Sequence, residues 1–226
     1  MLKVLELFSG TGSVGKVCKQ LDWDVVSVDL LLPADHQVDI MNFDYKQYPK
    51  DYFDIVWASP PCVSYSRLQD CWVGRKRNNK IFTKQDIEDM MNESDKLVLK
   101  AFEIIEYFNP HYWFLENPAT GRLKNREMMK DKPFYDVDYC MYSDWGYRKR
   151  TRIWTNKKDW NNKICDGKGT CGNMIKTLHK TNLGNTERLN RANKLASDGG
   201  NKKYKGTNQH LRYRIPEDLI FSLFIE

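Results

Sequence analysis

Lys3-Val4-Leu5-Glu6-Leu7-Phe8-Ser9-Gly10-Thr11-Gly12 reads as a short buried strand that runs into a turn with two glycines one residue apart. Glycine accepts the positive φ of a tight turn and lets backbone approach a ligand closely. Behind the turn, Ser13 to Gln20 has helical spacing, and Asp24 to Val28 reads as a second strand ending on Asp29. An acid closing the second strand, about twenty residues beyond such a turn, is placed to hold a pair of ribose hydroxyls. No Gly-Lys-Ser/Thr follows the glycines, so the turn is not a triphosphate loop and suits a nucleoside cofactor better. Asp29 as a plain helix cap is the simpler alternative.

The same alternation continues outward. Phe53 to Ala58 reads as a strand, and Thr83 to Tyr107 as a long helix whose Thr83 and Asp86 form a capping box with Asp in place of Glu. Tyr112 to Leu115, Val137 to Tyr142 and Arg150 to Thr155 are further strands, the last two joined by the turn around Asp144-Trp145-Gly146. Periodicity then fades until Pro216, which suits the first turn of a closing helix through Phe224. Strands alternating with helices predict an α/β fold with a mostly parallel sheet flanked by helices.

Bulk properties narrow the class. A chain of 226 residues can bury one good core, and 41% hydrophobic residues beside 29% charged ones describe a globular protein. No stretch is apolar enough to span a bilayer and the N-terminus has no signal-peptide pattern, so an intracellular protein is expected, in a prokaryotic or infected host cell. Six irregularly spaced cysteines do not form a disulfide framework. Charge is uneven: residues 156–210 hold twelve Lys and Arg against four acids, a net +8 that leaves −2 for the rest. Such a segment suits a polyanion, because Lys and Arg gain by displacing counterions from phosphates, although a solvated loop in a Lys-rich protein is the plain rival.

Three elements carry chemistry: Pro61-Cys62-Val63-Ser64-Tyr65-Ser66 after a strand, Glu116-Asn117-Pro118 at a strand end, and Arg150-Thr151-Arg152 on a strand. With the Phe8-x-Gly10-x-Gly12 turn, their order resembles that of the DNA cytosine carbon-5 methyltransferase family, over roughly residues 1–155 and more weakly near the C-terminus. That resemblance implies a Rossmann-like S-adenosylmethionine-dependent methyltransferase fold acting on DNA, most naturally duplex, with the target base flipped out of the stack. It implies a cofactor pocket of Phe8, Ser9, Gly10, Thr11, Gly12, Asp29, Asp39, Ile40 and Pro61, with Ser66, Arg67, Arg75, Lys76 and Arg77 on a loop that reaches nucleic acid. The catalytic set is Cys62, Glu116, Arg150 and Arg152, with Arg152 at the carbonyl oxygen of the base and Arg150 bracing the acid or the cysteine loop.

The residue types suit that chemistry independently. Carbon 5 of cytosine is a poor nucleophile until a thiolate adds at carbon 6, and Cys62 is the candidate. Glu116 can protonate or hydrogen-bond ring nitrogen 3, an arginine can stabilise charge at the carbonyl oxygen, and nearby positive charge should lower the Cys62 pKa. Arg148 stands where the family usually has Gln, Pro118 where it has Val, and Val63 where Gln is common. The family's sizeable target-recognition domain is also missing. The expected organisation is a catalytic domain at 1–155, a small basic recognition region at 156–210, and a C-terminal helix at 211–226 packing back on the catalytic domain. Cys165, Cys171 and His179 lack the paired Cys-x-x-Cys spacing of a zinc site, and no metal is expected. An RNA cytosine methyltransferase and a catalytically silent nucleic-acid-binding module are the alternatives. Abundant Asn, Lys and Tyr hint at an AT-rich, viral or phage genome.

Overall fold

The computed structural model describes residues 1–77, 79–175, 178–180 and 213–226. In chain order the strands are β1 (Lys3–Leu7), β2 (Asp24–Asp29), β3 (His36–Gln37), β4 (Ile55–Ala58), β5 (Lys76–Arg77), β6 (Lys80–Ile81), β7 (Tyr112–Pro118), β8 (Phe134–Asp138), β9 (Arg150–Thr155), β10 (Met174–Ile175) and β11 (Leu178–His179). The α-helices are α1 (Ser13–Gln20), α2 (Lys84–Phe108) and α3 (Glu217–Ile225).

Seven strands form one sheet in the order β3-β2-β1-β4-β7-β9-β8. The first five are mutually parallel, whereas β9 runs antiparallel to both β7 and β8. Strand order reverses direction between β1 and β4, so the crevice beyond their carboxyl ends is the natural ligand site of such a sheet. The Phe8–Gly12 turn follows β1 there, and Ser59–Cys62 follows β4.

Local signals explain most of the elements. Central strands such as β4, buried at every position, read as continuous apolar runs because both sheet faces are covered. The α2 capping box forms as expected, with Thr83 and Asp86 exchanging side-chain-to-backbone bonds, and Asn109 ends the helix in the left-handed conformation. β8 departs from expectation: it starts at Phe134, and Tyr139–Met141 turn into a 3-10 helix. The buried Tyr139 and Cys140 in that turn imitate strand burial, while the true strand carries Asp136 and Asp138, which a hydropathy reading discounts. Pro216 caps α3 rather than entering its first turn.

One core face lies under α2. The other is closed by α1 and α3, with Leu219, Ile220 and Leu223 fully buried. Phe224 stacks on Trp23 at 5.7 Å and also meets Trp57 and Phe114. The chain after β9 packs back on this body: Trp160 is buried against Tyr135 and Tyr142, and Lys157 Nζ donates to the Leu223 carbonyl at 2.8 Å. Lys157 therefore serves the fold instead of facing phosphate. The remainder of the basic region, residues 176–177 and 181–210, lies outside the described residues, as do residues 211–212. No helix among the described residues is long and apolar enough to cross a membrane.

Removing the Phe224 ring deletes contacts to three aromatic side chains. Phe224→Ala is expected to lower unfolding free energy by about 3 kcal/mol, in the usual range for buried aromatics. Urea denaturation followed by tryptophan fluorescence measures it, and a loss under about 1 kcal/mol would show that α3 is not part of the core.

Candidate active site

The glycine turn is built from unusual backbone. Phe8, Gly10 and Gly12 have φ of 56°, 53° and 66°, and a Cβ on Gly12 would meet nothing within 4 Å. A bulky residue at positive φ is strained, and such strain collects where backbone must present itself to a ligand. Open space over Gly12 beside exposed backbone fits a nucleoside cofactor lying across the turn.

Two carboxylates hold this turn. Asp29 Oδ2 accepts from Gly10 N at 2.8 Å, and its Oδ1 accepts from Leu31 and Leu32 N, each at 2.8 Å. The acid expected at a ribose thus also braces the turn and the chain beyond β2. Glu6 was not singled out by the sequence. It points from β1 into the start of α1, where Gly12 offers no side-chain cap, and accepts from Val14 N and Gly15 N at 3.2 and 3.0 Å. A Cβ on Gly15 would press to 3.3 Å from Glu6 Oε2, which explains glycine there. Burial pushes the Glu6 carboxyl up to about 7, against the opposing pull of the two N–H bonds. Of the remaining expected pocket residues, Ser9 is buried, Asp39 caps a 3-10 turn through Met41 N, and Pro61 is exposed. Ile40 sits in the core at 4% exposure, so it is a packing residue with little surface for a cofactor.

Cys62 is partly buried at the end of the β4 loop. Asn117, 1% exposed, donates from Nδ2 to the Pro60 carbonyl at 2.9 Å and so fastens the cysteine loop to the strand end that carries Glu116. Farther on, Tyr65 is fully buried with its hydroxyl on Asp95 of α2, and Ser94 bonds Ser64. Arg122 holds the Ser66 carbonyl and pairs with Asp70. The loop is therefore rigid at its base. Its outer part exposes Arg67, Arg75 and Lys76 beside Leu68 and Trp72, whereas Arg77 is held against Gln69, Trp72 and Phe82. Ser66 uses its hydroxyl to cap the 3-10 turn at Leu68 N.

Glu116, 6% exposed, accepts from the Tyr139 hydroxyl at 2.9 Å and lies 3.4 Å from Lys149 Nζ. The expected arginines are elsewhere. Arg152 pairs directly across from Asn117 and Asp136, makes two bonds to the Asp136 carboxylate, and lies over the Phe134 ring at 3.5 Å. Arg150 makes two bonds to the fully buried Asp138. Residues directly opposite in an antiparallel pair share a face, so both arginines share the face of Asn117, opposite to that of Glu116. Neither arginine lies on the Glu116 face, where the neighbouring cation is Lys149, one position before Arg150; both lie on the face of Asn117, whose Nδ2 holds the cysteine loop at Pro60. The expected depression of the Cys62 pKa is also absent. Burial raises it first and the Glu116 charge adds to the rise, while Lys149 opposes both.

Residues 31–132 match the family described as C-5 cytosine-specific DNA methylase. A protein of Frog virus 3 (isolate Goorha) named "Probable DNA (cytosine-5)-methyltransferase" is 42% identical over 224 residues, 98% of either chain. The chain belongs to the C-5 cytosine-specific DNA methylase family. Its fold is the Rossmann-like fold of S-adenosylmethionine-dependent methyltransferases, and S-adenosylmethionine is its cofactor. Among solved structures, the Entamoeba histolytica methyltransferase EhMeth aligns at TM-score 0.47, with 17% identity over 73% of this chain and 56% of its own. The S. pombe Dnmt2 methyltransferase aligns at 0.42, with 14% identity over 70% and 51%. The chain spans about half the length of these two structures.

Glu6 gives the methyltransferase a defined pH response. Its folded pKa of about 7 lies above the 4.5 of the unfolded chain. The folded state therefore binds more protons between those values, so this contribution to stability is complete below pH 4.5 and is lost as pH rises toward 7. Glu6→Gln is expected to flatten that part of the stability profile, by at most about 3 kcal/mol between the two ends. Denaturation midpoints from pH 5 to pH 8 test this, and parallel wild-type and variant profiles would refute it.

Proposed function

We propose that this protein methylates carbon 5 of cytosine in duplex DNA, with Cys62 as nucleophile, Glu116 as the acid at ring nitrogen 3 and Lys149 as the cation that tunes both. The observation that carries the reading is the clasp of Asn117 on Pro60, which holds the Cys62 loop against the strand end bearing Glu116. Support for a nucleic-acid substrate comes from the exposed Arg67, Arg75 and Lys76 on the same loop and from the basic segment that follows β9. The exposed Leu68 and Trp72 suit a loop that enters a stack as the target base leaves it.

The resting site keeps its thiol protonated. Burial and the Glu116 charge hold the Cys62 proton in place, which protects the nucleophile until a base arrives. As the Cys62 sulfur adds at carbon 6, the thiol proton passes to Glu116, which shares it with ring nitrogen 3, so the negative charge opposing the thiolate is neutralised while Lys149 stays beside it. Both changes favour the thiolate, so nucleophile and acid are activated by one event. S-adenosylmethionine supplies the electrophilic methyl group. Tyr139 orients the Glu116 carboxyl from the buried side, and Lys149 lies against both, 4.6 Å from the Tyr139 ring. Action inside a cell belongs to the same proposal.

Labelled S-adenosylmethionine offered with duplex DNA, single-stranded DNA or RNA tests the assignment. Label should enter cytosine carbon 5 of duplex DNA and vanish in Cys62→Ser. Label on an exocyclic amine, preference for RNA, or full activity of the variant would each overturn it. Lys149→Met should slow transfer about 10²-fold, as loss of a preorganised charge does. Alkylation of Cys62 against pH separates the two partners: Glu116→Gln should shift the profile to lower pH and Lys149→Met to higher pH. Unmoved profiles would remove both residues from the environment of the thiol.

A further inference from the structure

Cys140, Cys165, Cys171 and His179 bring four ligand atoms within 4.8 Å of one another, although the sequence separates them widely. Cys140 lies in the turn after β8, Cys165 and Cys171 in the loop beyond β9, and His179 on β11. We propose that these four residues bind one zinc ion in a closed, structural Cys3His site that fastens the start of the basic segment to the catalytic sheet. This reverses the expectation of no metal, which rested on spacing within 165–179 and left out Cys140.

The geometry suits zinc. With Zn–S near 2.3 Å and Zn–N near 2.05 Å, a tetrahedron places sulfur and nitrogen about 3.6 Å apart. His179 Nε2 lies 3.7 Å from Cys165 Sγ and 3.6 Å from Cys171 Sγ. Three soft thiolates and an imidazole favour zinc over magnesium or calcium, which take oxygen ligands. Supporting bonds surround the ligands. Gly167 N donates to Cys165 Sγ at 3.4 Å, as backbone amides do toward metal-bound sulfur, and Cys165 N donates to Asp138. Asn173 Nδ2 bonds the carbonyls of Cys140 and Cys171 at 2.9 and 3.1 Å, joining the two sides of the cluster.

Packing supplies the need. From 161 to 180 only Cys165 and Asn173 are buried among the described residues, whereas Ile164, Ile175 and Leu178 are exposed at 47%, 36% and 53%. The β10–β11 hairpin has two residues per strand. A two-stranded hairpin without an apolar core is at best marginal in water, and metal binding is a common substitute for such a core.

The test uses the full chain, purified reduced and without chelator. Elemental analysis should give one zinc per chain, and cobalt(II) exchanged into the site should show the intense d–d bands of tetrahedral thiolate ligation. Chelation should lower Tm by more than about 5 °C, a shift that corresponds to a few kcal/mol in a domain of this size. Cys140→Ser and Cys171→Ser should lose the metal, whereas Cys171→His and the exposed Cys71→Ser should keep it. The Cys171→His and Cys71→Ser arms guard against a ligand variant that merely misfolds. A reduced protein with no zinc, a Cys165–Cys171 disulfide in its place, or zinc retained in both serine variants would overturn the proposal. None of these readouts depends on methyl transfer.

Discussion

The antiparallel register of β7 against β9 decides which side chains meet at the site. Glu116 faces Ile153 and Asn117 faces Arg152, so Arg150 and Arg152 of β9 share the side of Asn117 and not that of Glu116. Lys149 falls on the side of Glu116, and the two arginines fall on the side of Asn117, locked to Asp138 and Asp136. A shift of one residue would exchange these roles, because side chains on a strand repeat every second position. The same ion pairs hold β8 in register against β9, since each arginine lies directly across from its own acid on β8.

Buried carboxylates do the organising elsewhere as well. Burial alone would raise the Asp138 carboxyl, yet Arg150, Arg148 and Cys165 N–H overcome it and hold it below the ordinary carboxylate range. A fully buried acid with three donors tolerates loss of a partner poorly, since the remaining charge would be stranded in low dielectric. Glu6 shows the opposite balance. Its donors are only two helix N–H groups, so burial prevails and the group titrates near neutrality. Both acids tie down backbone amides of a neighbouring element, Glu6 at the start of α1 and Asp138 at Cys165 beyond β9, which no apolar side chain could satisfy.

The sheet and its helices were legible because their signals are local: buried apolar runs for β1 and β4, the Thr83–Asp86 box for α2, and alternation through β9. Glu116 and Cys62 were legible as motifs at strand ends. Lys149 was not, because its identity as the partner of Glu116 depends on a cross-strand register that no single segment encodes. Glu6 was hidden in plain view within the first strand, where one acid among apolar residues signals a buried partner. The beginning of β8 was misplaced because its acids look solvent-facing until Arg150 and Arg152 stand opposite. Cys140 was passed over for a similar reason. Its fellow ligands lie on the far side of a β-strand, and only folding closes the interval.

The cysteine cluster and the acid site are closer in architecture than in sequence. Tyr139, whose hydroxyl bonds Glu116, precedes Cys140 in the same 3-10 turn, and Asp138 before it binds both Arg150 and the amide of Cys165. Anything that fixes Cys140 and Cys165 therefore fixes the turn that aims Tyr139 at the acid. His179 stands at the other end of the cluster, and Lys180 leads from it into the remaining basic segment. A short basic segment that serves DNA binding needs a rigid connection to the catalytic sheet if its placement is to be reproducible. Four ligands around one ion, rooted in the turn behind Glu116, would give that segment a fixed point of departure and tie its placement to the geometry of the acid.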